Sequence, residues 1–175
     1  YRGNKFPYDS RGAYFFCDPT IHVVRRAYVE YPEGKLLLRK AEPEGQEFMR
    51  SSDFNSRFIN TTTGPDGCLY LTDMYRGIIQ DAAWFNEGNR EFARRTGVNK
   101  HIQMGRIWRI RHKDHQPYGK KPRMLEESTE ELVRHLQNPI GWWRDTAQKI
   151  ILLRPDREKA IPPLLEGSDL LGVAQ

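Results

Sequence analysis

Cysteine is scarce in this chain, and what there is has no partner pattern. The two cysteines among 175 residues, Cys17 and Cys68, supply no disulfide framework, and neither sits in a Cys-x-x-Cys or zinc-type spacing. Both fall inside strand-like runs and read as small hydrophobes, so no compartment follows from them. Also missing is any apolar run of bilayer-spanning length or a recognisable leader, so no membrane span is expected in this stretch. Charge of one sign is not concentrated either: 28 Lys+Arg against 23 Asp+Glu leaves +5, spread along the chain. The most basic stretch, 109–123 with His112 and His115, has no helix, aromatic platform or binding motif around it. It reads as a solvated linker, and nucleic acid is not an expected partner. Apolar residues, by contrast, make up 38%, enough for an ordinary core and too much for a disordered segment.

What the chain does have is a phrase that occurs twice. Gly67-Cys68-Leu69-Tyr70-Leu71-Thr72-Asp73 follows a Gly-Pro-Asp turn, and Gly12-Ala13-Tyr14-Phe15-Phe16-Cys17-Asp18 repeats its layout about 55 residues earlier. Each copy has a turn glycine, an aromatic-rich run suited to a pleated strand, and an aspartate six residues after the glycine. Repeated short strands at this spacing predict blades of a β-propeller. Strands are expected at Tyr14 to Cys17, Ile21 to Tyr31, Lys35 to Arg39, Glu47 to Arg50, Arg57 to Thr63 and Cys68 to Asp73, separated by turn chemistry. The stretch from Asp81 to Met104 reads as a polar insertion carrying Trp84 and Phe85. Strict alternation returns at Gly105 to Ile110, with Ile107 and Arg109 on one face and Trp108 and Ile110 on the other.

The period then changes. Ser128-Thr129-Glu130-Glu131 is a capping box, and Leu132, Val133 and Leu136 supply an apolar helical face. After Asn138-Pro139 a second helix is expected from Ile140 to Leu153, with Trp143, Ala147, Ile150 and Ile151 at helical spacing before Pro155. A further apolar stretch, with Ile161, Leu164 and Leu165, suggests the opening of a helical solenoid. The expected fold is therefore β plus α, the C-terminal part of a β-propeller (about two blades) followed by α-helical HEAT-like repeats. The expected boundaries are 1–113 for the blades, 114–124 for a linker and 125–175 for the helices. The start at Tyr1, and the end soon after a new apolar stretch, lead us to expect an internal fragment of a longer protein.

Four stretches carry a family resemblance: Glu47 to Asp53, Thr61 to Gln80, Gly105 to Ile110 and Asn138 to Gln148. Together they resemble large bacterial proteins related to soluble glucose and sorbosone dehydrogenases. In that family a dehydrogenase-like propeller leads into HEAT-type repeats and a c-type cytochrome domain with a CxxCH haem site. The resemblance covers roughly the whole chain, and the long run from Gly64 to Gln80 is its specific part. It implies an extracytoplasmic, periplasmic sugar or alcohol dehydrogenase that passes electrons to haem c in a cytochrome domain of the same parent chain, with PQQ and calcium as implied cofactors. No Cys-x-x-Cys-His occurs here, so the haem would lie outside this chain and the fragment alone would be inactive. The alternative reading is a non-catalytic propeller and helical-repeat module that binds carbohydrate or protein.

Catalytic residues are not identifiable, but a substrate or cofactor pocket is expected around Asp73, Tyr75, Arg76, Arg57 and Asn60. Asp73, Tyr75 and Arg76 stand where an inner strand would emerge at a loop end. A carboxylate there suits calcium or a substrate hydroxyl, and an arginine suits an anionic cofactor group. The competing reading is structural: an aspartate that caps a turn, with Arg76 paired to it. For Asp18 an Asp-Pro turn explains the pair with Pro19. His22 and His101 lack ligand partners nearby in sequence and read as turn or surface residues. Trp84 and Phe85 read as packing or as a pocket rim, and Trp142 and Trp143 as the cement of the helical segment.

Overall fold

The structure, a computed structural model, describes residues 1–79, 83, 85–116 and 121–171. Trp84, part of the expected linker and the last four residues lie outside that set. The chain divides into two compact units. The first holds Tyr1, Asp9–Thr62 and Leu69–Arg111, and the second holds Arg2–Tyr8, Thr63–Cys68 and His112–Gln175.

The first unit carries two small antiparallel sheets. One contains β1 (Tyr14–Asp18), β2 (Val23–Glu30), β3 (Leu37–Lys40) and β4 (Met49–Arg50). β2 is central: it pairs with β1 from Tyr14↔Ala27 to Asp18↔Val23 on one side, and with both β3 and β4 on the other. Val23, Val24 and Ala27 of β2 are buried, as is Phe15 of β1; Val23 and Val24 are adjacent and face opposite sides, so both faces of the sheet are covered there. The second sheet has the order β5 (Phe58–Thr63), β6 (Leu69–Asp73), β7 (Arg106–Ile110). Leu69, Leu71 and Asp73 are buried on β6 and lie opposite Ile110, Trp108 and Arg106 of β7. Thr61 Oγ1 donates to Phe15 O at 3.0 Å, tying the two sheets.

Between β6 and β7 the expected polar insertion contains a helix, α1 (Glu87–Thr96). Asn86 caps it by accepting from Asn89 N at 2.9 Å, and Gly97 ends it at φ 68°, where its amide reaches Ala93 O. Phe92 anchors the helix on Phe54, ring centroids 5.0 Å apart.

The second unit is helical: α2 (Thr129–His135), α3 (Gly141–Leu153) and α4 (Ile161–Leu171). The capping box forms as its sequence predicts, with Ser128 accepting from Glu131 N and Glu131 accepting from Ser128 N. Met124, Leu132, Val133, Ile140, Trp143, Ala147, Ile151 and Ala160 make one apolar core. Trp143 Nε1 donates to Pro65 O at 2.8 Å, so the indole is buried with its polar atom satisfied.

The propeller and HEAT-like expectation is corrected by this arrangement. The described residues form two open antiparallel sheets and four helices, a mixed α/β fold. The repeated phrase does become a strand twice, each time two residues after a left-handed glycine, Gly12 at φ 75° and Gly67 at φ 78°. Its two copies, however, take different places. β1 is a sheet edge and β6 a sheet centre, while β3 and β4 share one flank of β2 rather than forming a four-stranded meander. Among the described residues no helix is long and apolar enough to cross a membrane.

Candidate functional site

The expected pocket residues are partly brought together, in the first unit, around Asp73. Its side chain is fully buried at the end of β6, where the strand hands over to a loop. Oδ1 accepts from the amides of Arg57 at 2.7 Å and Tyr75 at 2.8 Å. Oδ2 accepts from Ser56 Oγ at 3.0 Å, Trp108 Nε1 at 3.1 Å and Arg106 Nη2 at 3.4 Å. Burial works against the ionised form, but the Arg57 amide, the Trp108 indole, the Tyr75 amide and the Ser56 hydroxyl outweigh it and hold the carboxyl below its usual range. Five donors occupy the roughly four lone-pair directions of a carboxylate. Calcium takes six to eight oxygen ligands, and this donor-rich surround does not suit it.

Arg57 is the second buried centre. Its guanidinium donates to Arg76 O at 3.1 Å, Pro19 O at 3.0 Å and Gly77 O at 2.7 Å, so it staples the Pro19 turn to the loop at Arg76 and Gly77. His22 completes the set. Its Nδ1 lies 2.7 Å from Ser56 O and its Nε2 lies 2.6 Å from Arg57 Nη1. With Nδ1–H donated to Ser56 O, Nε2 is left to accept from the guanidinium. Desolvation lowers the pKa of Arg57, and the Asp73 charge partly offsets that. His22 and Tyr75 both hold positive φ, 60° and 48°, a conformation that costs a non-glycine residue about 1–3 kcal/mol and that the surrounding bonds impose.

Other expected residues stand apart. The side chain of Arg76 is exposed, and only its carbonyl joins the cluster. Asn60 is exposed on β5, its carbonyl facing Thr72 Oγ1 at 3.5 Å. Asp18 ends β1, accepts from Thr20 N at 3.1 Å across Pro19 and pairs with Arg25 at 3.6 Å. His101 Nδ1 lies 2.9 Å from Asn55 Oδ1.

At the solvent side of Asp73 is a rim that sequence reading missed. Arg106 lies 3.7 Å from the Tyr75 ring centroid and 4.9 Å from that of Trp108, and its Nη2 is 3.6 Å from Asp53 Oδ2. Asp53 accepts from Asn55 N at 3.0 Å, and the Tyr75 hydroxyl also bonds it. Burial works against its charge, but those bonds and the Arg106 cation hold its carboxyl below the usual range. The side chains of Asp53 and Arg106 remain 40% and 38% exposed, and Trp108 is 39% exposed, so carboxylate, guanidinium and aromatic faces all reach solvent together. The signal available in the sequence was the alternation, which puts Arg106 on the Trp108 face of β7; its pairing with Asp73 comes only with the register.

The second unit has its own cluster. Asp66, Cys68 and His115 place a carboxylate oxygen, a sulfur and a ring nitrogen within 4.8 Å of one another. Cys17, in β1, is a different case: burial pushes its thiol up to about 11, so it is unreactive at neutral pH.

No curated protein and no solved structure matches the chain. A family model does match, over residues 1–114, which takes in both sheets, α1, the Asp73 and Arg57 centres and the rim beside them. The chain thus belongs to the family described as Domain of unknown function (DUF7133).

Proposed function

We propose that the first unit holds a polyhydroxylated ligand, a sugar or polyol, at the rim formed by Asp53, Tyr75, Arg106 and Trp108. The observation that carries this reading is the Asp53 and Arg106 pair set against two aromatic rings with all of them open to solvent. Vicinal hydroxyls suit a carboxylate acceptor beside a guanidinium donor, and the C–H faces of a sugar ring suit an aromatic face. Asp73 and Arg57 are the frame behind the rim in this reading, because their polar atoms are already committed to protein partners. The resemblance to sugar dehydrogenases points to the same ligand class. It adds the proposal that a longer parent protein oxidises the ligand and passes electrons to a haem domain.

Calorimetric titration of the chain with a panel of aldoses, ketoses and polyols tests the binding reading. Saturable binding by at least one of them, weakened by Asp53→Asn and by Arg106→Ala, is expected. No heat for any of the panel, or binding indifferent to both substitutions, overturns it. Dye-linked oxidation of the bound ligand by the longer protein, together with a haem c spectrum, tests the oxidoreductase reading separately.

A further inference from the structure

We propose that Asp66, Cys68 and His115 form a site for a divalent transition-metal cation of the zinc class, independent of the sugar rim. The tight reversal at Gly64 to Gly67 sets it up. Gly67 N donates to Gly64 O at 3.0 Å, Gly64 N donates to Cys68 O at 2.9 Å, and Asp66 Oδ1 accepts from Cys68 N at 3.0 Å. The turn therefore holds the Asp66 carboxylate and the Cys68 thiol two residues apart on one tight bend. The 112–116 segment brings His115, whose two ring nitrogens each lie 3.8 Å from Cys68 Sγ. Zinc bonds of about 2.3 Å to sulfur and about 2.0–2.1 Å to nitrogen, at a tetrahedral angle, put those two ligand atoms about 3.6 Å apart. The observed spacing is already close to that value, and turning the ring to aim one nitrogen at the shared position completes the bite. Thiolate, imidazole and carboxylate are a mixed soft and borderline donor set that favours zinc-class ions over calcium or magnesium.

A second observation points to the same place. Asn4 Oδ1 is buried without a hydrogen-bond partner. It abuts Gly67, where a Cβ would come within 2.7 Å of it, so an unsatisfied oxygen sits beside the residue that joins Asp66 to Cys68. A buried polar atom of this kind calls for an ion or a water. A cleft of about 460 Å³, lined by Asn4, Lys5, His112, Asp114, His115 and Gln116, gives solvent a way in. The cation takes three protein donors and leaves its fourth position to Asn4 Oδ1 or to a water from the cleft. On binding, the Cys68 S–H bond breaks, its proton passes to solvent and a sulfur–metal bond forms, so no oxidant is needed and affinity falls as pH falls.

Cobalt(II) added to the full 175-residue chain tests the site, with zinc as competitor. One cobalt per chain with a sulfur-to-cobalt charge-transfer band, displaced by zinc, is expected. Cys68→Ala should remove the band, and His115→Ala should weaken cobalt binding by at least about tenfold, while His101→Ala, in the first unit, should leave both unchanged. No charge-transfer band in the parent chain, or a band that survives Cys68→Ala, overturns the proposal. Should either variant lose its far-ultraviolet circular dichroism, zinc-edge X-ray absorption of the parent chain decides: one sulfur among lighter neighbours supports the site, and a shell without sulfur refutes it.

Discussion

Both units have a buried apolar core, but the first adds a buried charge network that the second lacks among the described residues. In the second, seven buried apolar residues close around Trp143, whose indole N–H donates to Pro65 O. In the first, an apolar layer that includes Val24, Phe58, Leu69 and Leu71 is joined by a buried carboxylate and a buried guanidinium, Asp73 and Arg57, on which the loops converge and whose partners are mostly backbone atoms. Apolar packing is tolerant of small changes and indifferent to pH. A buried charge network is neither, because removing one member strands the others without partners in a low-dielectric setting. The first unit gains fixed loop positions from this, including two residues at positive φ beside the rim, and becomes sensitive to the ionisation of a single side chain.

Trp143→Ala should have the largest effect, about 4–5 kcal/mol, because it empties the centre of the helical core and orphans Pro65 O. Chemical denaturation of the purified variant measures it, and a loss under about 1 kcal/mol would mean that the second unit is not cored as described. Asp73→Asn comes next, at about 3 kcal/mol, since the amide turns a donor group toward Trp108 Nε1 and Ser56 Oγ and leaves Arg57 without its counter-charge. Gly67→Ala should cost about 1–3 kcal/mol, from its φ of 78° and the approach of Asn4 Oδ1 and Lys5 Cγ to the new methyl. Melting temperature reads this out, and an unchanged value would refute the tight turn. Ser128→Ala should be the mildest, about 1 kcal/mol, the worth of one helix cap. A larger loss would give α2 a part in the second unit that its cap alone does not explain.

Local features of this fold were legible where one short-range rule decided the outcome. The capping box at Ser128, the reversal at Gly64 to Gly67, the alternation ending in Trp108 and the helix through Trp143 and Ala147 are all settled within a few residues. The helix Glu87–Thr96 was not legible, because its stability comes from the Asn86 cap and from ion pairs such as Glu87 with Arg94, and only Ala93 is buried. Its apolar residues, Phe92 and Ala93, are too few to mark an apolar face in so polar a stretch. The repeated glycine-to-aspartate phrase misled at the next level up. It specifies a strand with its entry turn and carries no information on whether that strand becomes an edge or a centre. At the site, Asp73 and Tyr75 were legible at one loop end together with Arg76, which contributes only its carbonyl, and Arg57 was expected at the start of the neighbouring strand. Asp53, Ser56 and Arg106 were not, because they join it only through the β6 and β7 register and a loop closure. Cys68 read as a small hydrophobe because His115, 47 residues away, is brought to the Asp66 and Cys68 turn by folding and not by spacing.

The claim that the first unit is organised by the Asp73 charge makes a signed prediction. The folded-state pKa of Asp73 lies below its unfolded value, so its contribution is fully present above the unfolded range near about 4 and is lost as pH falls toward the lowered folded value. The most direct measurement is the unfolding free energy of the parent chain and of Asp73→Asn from neutral pH down to strong acid, followed at Trp108 by fluorine labelling of the tryptophans. The gap between the two proteins should be about 3 kcal/mol at pH 7 and should close once the pH falls below the carboxylate range. A gap that is absent at pH 7, or that stays constant into acid, would contradict the account.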